Sequence, residues 1–331
     1  MSAASSKPYW LGIDLGGTKI LAGVYDNDWK LAGTKKRKTK AEEGQSKGLE
    51  RLIRTGIDAL TEAGVAPEDL GGVGIGCPGP LDLSTGTLLS AANLGWKDVP
   101  LRKILENAFK VPAAVANDVD TGTIGEARHG AGKGARSVLG VFPGTGIGGG
   151  FVYEDRVLQG RSQSCLEIGH MTAVIDGPLC GCGRRGCLEA VAGRQAVSLA
   201  AAGAVLRGQA PWLQANAGSN PADLRSSTLA KAIENGDQVI RELVELAAGH
   251  LGRSLGDVVN LLAPEVVVLG GGMIEAMSDI MLPVIRQSMR TRVMDAYTDS
   301  YRLKTAALGD DAVTLGAASL AKDRAAEQAH D

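Results

Sequence analysis

With 331 residues, 44% of them apolar, the chain can bury enough surface for two domains. A formal net charge of −2 gives no general attraction to nucleic acid or to an anionic membrane, and neither is expected as a partner. The opening MSAASSKPYW has no apolar signal core, and five cysteines without a secretion signal argue against a disulfide framework. The apolar run 196–206 is about half the roughly 20 residues that a spanning helix needs, so a cytoplasmic protein is expected.

In chain order, the pattern predicts strands over 9–15, 20–26 and 30–38, then a helix over 46–64. The basic run KKRKTK (35–40) reads as a solvated strand or turn. A strand over 71–76 leads into GCPGPLD; a helix follows over 99–109, then the strand AAVAND (113–118) and a helix from 119 to 130. At Ser137 the pattern restarts. WLGIDLGGTKILAGVYDN (10–27) and VLGVFPGTGIGGGFVYED (138–155) align without a gap, and Leu11, Gly12, Val24 and Tyr25 recur as Leu139, Gly140, Val152 and Tyr153. So long a period suits two related halves of one molecule rather than a solenoid. GTGIGG (144–149) matches the dinucleotide fingerprint, but that site needs a helix straight after the glycines, whereas GFVYEDRVL is strand-forming.

A cysteine cluster comes next, then a polar loop over 208–227 and a long helix over 237–262. The last strand, EVVVL (265–269), ends in GGGM before another helix, and a terminal helix covers 311–326. Two mixed α/β units facing a cleft are expected: a smaller one over 8–120 joined by the C-terminal helix 312–328, and a larger one over 121–311.

Three glycine turns offer unobstructed backbone N–H groups to phosphate oxygens: DLGGTK, GTGIGGG and GGGM. Asp14, ending the first strand, suits Mg²⁺ beside bound phosphates, or else caps a turn; Lys19 suits a phosphate or the surface. Asp118 ends AAVAND with Asn117 beside it. A carboxylate there can take the proton of a hydroxyl attacking a phosphoryl group, or cap the following helix. His170, Cys180, Cys182 and Cys187 form a His plus C-x-C-x₄-C set spaced by glycines, which suits a closed, structural Zn²⁺ site. Glu167 and Glu189 flank it, and with His170 they suit the hydroxyls of a polyol.

DLGGTK, GIGCPGP, AND, GTGIGGG, EIGH, CGCGRRGCLE, LGGGM and GDDAVTLGAA stand in the order of the ROK family of sugar kinases, open reading frames and repressors, which the chain closely resembles. The resemblance implies an α/β, two-domain actin-like ATPase (ribonuclease H-like) fold with a nucleotide and sugar cleft between the domains. It implies Asp118 as the base, and Gly79, Asn93, Asn117, Glu167, His170 and Glu189 as sugar contacts. Asp14, Gly16, Gly17, Thr18, Lys19, Gly144, Thr145 and Gly146 would hold the phosphates of ATP with Mg²⁺, and Gly271 and Gly272 would face the adenosine. The expected reaction is phosphorylation of a hexose 6-hydroxyl, glucose first, with N-acetylglucosamine, N-acetylmannosamine and fructose as rivals. A homodimer or homotetramer is expected. A sugar-responsive repressor would need an N-terminal helix-turn-helix, and a first strand beginning by Tyr9 leaves it no room. Cys165-Leu166 and Asp120 depart from the family pattern, which bears on the sugar rather than on the reaction.

Overall fold

The computed structural model describes residues 9–161 and 164–330, so the reading of the first eight residues as lacking a signal core lies outside it. The chain opens with β1 (Tyr9–Leu15), β2 (Lys19–Asp26), β3 (Leu31–Lys38), α1 (Gln45–Ala63) and β4 (Leu70–Cys77). A small sheet of β5 (Leu81–Asp82), β6 (Thr87–Ala91) and β7 (Trp96–Val99) precedes α2 (Leu101–Phe109), β8 (Ala113–Asn117) and α3 (Asp118–His129). Then come β9 (Ser137–Pro143), β10 (Ile147–Tyr153), β11 (Arg156–Val157), α4 (Leu188–Ala192), α5 (Arg194–Leu206), α6 (Pro211–Asn216), α7 (Ser226–Glu234) and α8 (Gln238–Leu262). The chain closes with β12 (Val266–Leu269), α9 (Gly272–Arg290), β13 (Arg302–Thr305) and α10 (Asp311–His330).

Two compact units result. One comprises Met1–Arg136, Gly150–Cys165 and Ala307–Asp331; the other comprises Ser137–Gly149 and Leu166–Ala306. The first sheet has the order β3-β2-β1-β4-β8 and the second β11-β10-β9-β12-β13, the division between units falling inside β10. Both orders read third, second, first, fourth, fifth strand along the chain, so the duplication seen in the glycine turns extends to the topology. In the first unit, Leu11, Ile13, Val24, Val73 and Ile75 are fully or almost fully buried, which is why these strands read as continuous apolar runs. The basic run falls on β3, an edge strand whose side chains are largely exposed, where lysines discourage edge-to-edge pairing.

Helix α10 returns to the first unit and lies directly on β1 and β4. A Cβ on Gly12 would overlap the Thr314 carbonyl, and one on Gly74 the Ala317 carbonyl; the two glycines are paired across the sheet. The same device repeats against α3, where a Cβ on Gly316 would overlap the Thr121 carbonyl and one on Gly125 that of Ala312. Buried Glu126 fixes the approach to α10: its Oε1 accepts from the N–H groups of Ala307 (2.9 Å) and Leu308 (2.8 Å). Sequence patterning placed the change of domain at 120/121. The compact first unit also contains α3, because α3 and α10 share this backbone-to-backbone contact.

Three elements differ from the sequence reading. The stretch 208–227 is not all loop. It contains α6 and the start of α7, because buried Asp237 accepts from the N–H groups of Trp212 (3.1 Å) and Leu213 (2.8 Å) and so caps a helix that also has Pro211 in its first turn. EVVVL is not the last strand, since β13 pairs parallel to it. RLKT buries only Leu303 and therefore has no apolar run to announce it. The sheet β5-β6-β7 was unread because its strands are 2, 5 and 4 residues long. No helix among the described residues is long and apolar enough to cross a membrane.

The glycine contacts give a direct stability test. Gly74→Ala forces backbone apart and is expected to cost about 1–3 kcal/mol. Gly203→Ala, in α5 against only the flexible end of Arg207, is expected to be neutral or to stabilise by up to about 1 kcal/mol. Urea midpoints of the two variants check both signs.

Candidate functional site

In the first unit, β1, β4 and β8 are adjacent and parallel, so their C-terminal ends lie side by side. The register pairs Asp14 with Gly76 and Cys77 with Asn117, which brings Asp14, Cys77 and the Asn117-Asp118 step to one edge of the sheet. Asn117, not Asp118, is the N-cap of α3. Its Oδ1 accepts from the N–H groups of Val119 (2.9 Å) and Asp120 (3.4 Å), and Asp118 is the first helical residue. The capping reading of Asp118 thus passes to its neighbour. The turn after β1 closes with the Gly16 N–H donating to the Lys19 carbonyl (2.9 Å), and the Thr39 hydroxyl secures the Gly16 carbonyl (2.6 Å). A Cβ on Gly17 would come within 3.0 Å of Asn93 Nδ2, and one on Gly79 within 3.6 Å of Asn117 Nδ2. The first unit therefore gathers Asp14, Gly16, Gly17, Thr18, Lys19, Gly79, Asn93, Asn117 and Asp118 around its strand ends.

Asp310 is a residue of this group that the sequence did not reveal. Its carboxylate accepts from Lys19 Nζ at 2.7 Å and pairs with Lys36 Nζ at 3.1 Å, whereas Asp14 lies 3.9 Å from Lys19 Nζ. Separated from Lys19 by 291 positions, it leaves no local spacing signal. Asp120, one of the family departures, is buried and receives the Ser164 hydroxyl.

In the second unit the turn Ile168–His170 carries Glu167 just before it and His170 at its end, anchored by buried Ile168. The ligand atoms of His170, Cys180, Cys182 and Cys187 all lie within 4.8 Å of one another. Cys182 and Cys187 Sγ are 3.7 Å apart, and Cys180 Sγ is 3.6 Å from His170 Nδ1. A zinc tetrahedron with bonds near 2.3 Å has S···S edges of about 3.8 Å, so this donor set fits Zn²⁺. Hydrogen bonds from Arg184, backbone first, lower the Cys182 thiol to about 6 and favour the thiolate that a metal needs; burial pushes Cys187 up to about 11.

Glu189 joins this cluster to the second glycine turn. Its Oε2 accepts from the Ile147 N–H (3.0 Å), and its Oε1 is 3.9 Å from Cys180 Sγ. A Cβ on Gly146 would overlap that carboxylate, so only glycine fits there. The Gly144 carbonyl accepts from the Arg194 N–H (2.9 Å) at the start of α5, and the Arg194 guanidinium donates to the Thr145 hydroxyl (2.5 Å). Gly271, in the left-handed region at φ 80°, precedes α9, and a Cβ there would lie 2.9 Å from the Pro143 carbonyl. Gly271 and Gly272 thus border the turn of Gly144, Thr145 and Gly146.

Burial dominates the electrostatics of Asp14. Desolvation raises its carboxyl to about 7, against the lowering by Lys19, and the nearby Asp118 and Asp310 charges add to the rise. The folded protein then holds a proton that the unfolded chain releases near pH 4, so this contribution favours folding at low pH and is lost as pH rises from about 4 through 7. A rise of this size corresponds to about 4 kcal/mol. Asp14→Asn, which mimics the neutral form, is expected to be the more stable protein at pH 8 and to lose that advantage by pH 4. Urea unfolding of both proteins across this range is the check.

The ROK family profile matches residues 10–324. A protein named glucokinase from Halalkalibacterium halodurans is 32% identical over 96% of both chains. Among solved structures, the ROK hexokinase from Thermus thermophilus is 34% identical, with a TM-score of 0.79 over 96% of this chain and 99% of that one. A ROK glucokinase from Streptomyces griseus, solved with glucose and AMPPNP, is 30% identical, with a TM-score of 0.78 over 95% and 99%. The fold is the actin-like ATPase fold of these kinases. With a family match spanning nearly its whole length, the chain belongs to the ROK family.

Proposed function

We propose that the protein is a sugar kinase that transfers the γ-phosphoryl group of ATP to the 6-hydroxyl of a hexose, glucose first. The observation that carries this reading is the carboxylate pair Asp14 and Asp118 at neighbouring strand ends, next to a glycine turn bearing Lys19, in a ROK chain. Phosphoryl transfer asks little covalent work of a protein; positioning, charge and one base suffice. Asp118 takes the proton of the sugar hydroxyl as its oxygen bonds to the γ-phosphorus and the bond to the ADP oxygen breaks. Asp14 is a buried carboxylate whose closest listed cation, Lys19, lies 3.9 Å away and is held more tightly by Asp310, which suits a divalent cation. Mg²⁺ held there supplies positive charge against the phosphate oxygens. The turns Gly16–Lys19 and Gly144–Gly146 take the phosphates, and Gly271 and Gly272 take the adenosine side.

Gly79, Asn93, Asn117, Glu167, His170 and Glu189 are assigned to the sugar. Asn117 Oδ1 is spent on the cap of α3, which leaves its amide nitrogen as the donor. His170 turns Nδ1 toward the thiols, which leaves Nε2 for a hydroxyl. Glu189 has about four acceptor positions and uses one on Ile147. Zn²⁺ on His170, Cys180, Cys182 and Cys187 acts structurally by fixing the loop between two sugar-facing groups.

Asp118→Asn is expected to keep hexose binding within a few-fold while kcat falls by at least two orders of magnitude; a variant with near wild-type turnover refutes the base assignment. ADP release measured over glucose, N-acetylglucosamine, N-acetylmannosamine, mannose and fructose tests the substrate. The purified protein is expected to carry one zinc per chain by metal analysis. Cys182→Ser is expected to lose it and to raise the KM for the hexose at least tenfold, with the KM for ATP little changed.

A further inference from the structure

Five buried side-chain polar atoms lack a hydrogen-bond partner among the described residues, and three of them are arginine Nε–H groups lining a single cavity. The cavity, of about 660 Å³, belongs wholly to the first unit, and the arginines are Arg102, Arg128 and Arg324. It lies at the opposite end of the sheet from Asp14 and Asp118. Val313 sits over Gly76, Ala317 over Gly74 and Ala321 over Gly72, so α10 runs antiparallel to β4 and delivers Arg324 toward the N-terminal strand ends.

The charges in this cavity do not balance locally. Arg128 is paired with Asp323 (2.8 Å) and Asp155 (3.8 Å), and Arg324 with Glu327 (3.4 Å). Glu154 is engaged by Arg136. Arg102 has no carboxylate within 4 Å among the described residues; its two Nη groups donate to the carbonyls of Ser84 (2.7 Å) and Leu83 (2.8 Å). The Arg324 charge and partial burial both depress its pKa, so Arg102 is an uncompensated cation beside another cation. Such a group calls for an anion.

We propose that this cavity is a second ligand site, separate from the catalytic residues, that takes a small molecule carrying a phosphate monoester. Three orphaned Nε–H donors match the three terminal oxygens of a phosphate better than the two of a carboxylate, and planar guanidinium groups are well suited to phosphate. The small side chains of Ala114 and Ala116, with Leu320, leave an apolar wall for the rest of the ester.

The test is calorimetric titration of the full-length protein with inorganic phosphate, and with acetate at equal ionic strength. Saturable phosphate binding is expected, at least tenfold tighter than acetate. Arg102→Gln and Arg324→Gln are each expected to weaken it at least tenfold without altering turnover, and Lys19→Ala is expected to leave it unchanged. Arg324, on the outer part of α10, serves as the second variant should Arg102→Gln disturb the Leu83–Ser84 loop. Absence of saturable binding, loss of binding in Lys19→Ala with retention in both arginine variants, or equal binding of acetate each overturns the proposal.

Discussion

The first unit depends on a close approach of backbones. Helix α10 meets β1 and β4 at Gly12 and Gly74 and meets α3 at Gly316 and Gly125, all positions where a methyl group would overlap a carbonyl oxygen. Small residues permit the contact, and it sets where everything attached to α10 ends up. Asp310 precedes the first turn of the helix and reaches Lys19 beside Asp14; Arg324 near its far end lines the arginine cavity. One packing arrangement therefore fixes both ends of the sheet. Glu126, which holds the backbone of Ala307 and Leu308, sets the angle at which the helix enters.

A buried acid has a comparable role in the second unit. Glu189 fastens the amide of Ile147, hence the turn Gly144–Gly146, to the loop that carries the cysteines. Metal binding and the shape of a glycine turn are mechanically joined through this one side chain. A zinc clasp in a kinase is then intelligible without any chemical task for the metal: it holds fixed a loop bearing His170 and Glu189. The low pKa of Cys182 and the high pKa of Cys187 reflect unequal surroundings, one exposed and hydrogen-bonded by Arg184, the other buried.

The duplication binds these halves conceptually. Each sheet uses the order third, second, first, fourth, fifth, with a glycine turn after its first strand, so one hairpin chemistry recurs in both units. The copies then diverged in their additions. The first acquired Asp14 and Lys19 at the turn, and the second acquired Thr145, braced by Arg194.

The sequence by itself determined the strands with continuous apolar runs, the glycine turns, the Cys₃His set and the placement of Asp14 and Asp118 at strand ends. Each of these is encoded within a few neighbouring residues, where burial and backbone conformation act directly on composition. Short elements such as β5 and β13, and helix α6, escaped it because their stability comes from remote partners, Asp237 in the case of α6. Only the tertiary structure decided that Asn117 caps α3 while Asp118 does not, that α3 belongs with α10, that Asp310 holds Lys19, and that three arginines share one cavity. These relations are made by side chains up to 291 positions apart. Distance along the chain carries no signal for them; packing alone brings them into contact.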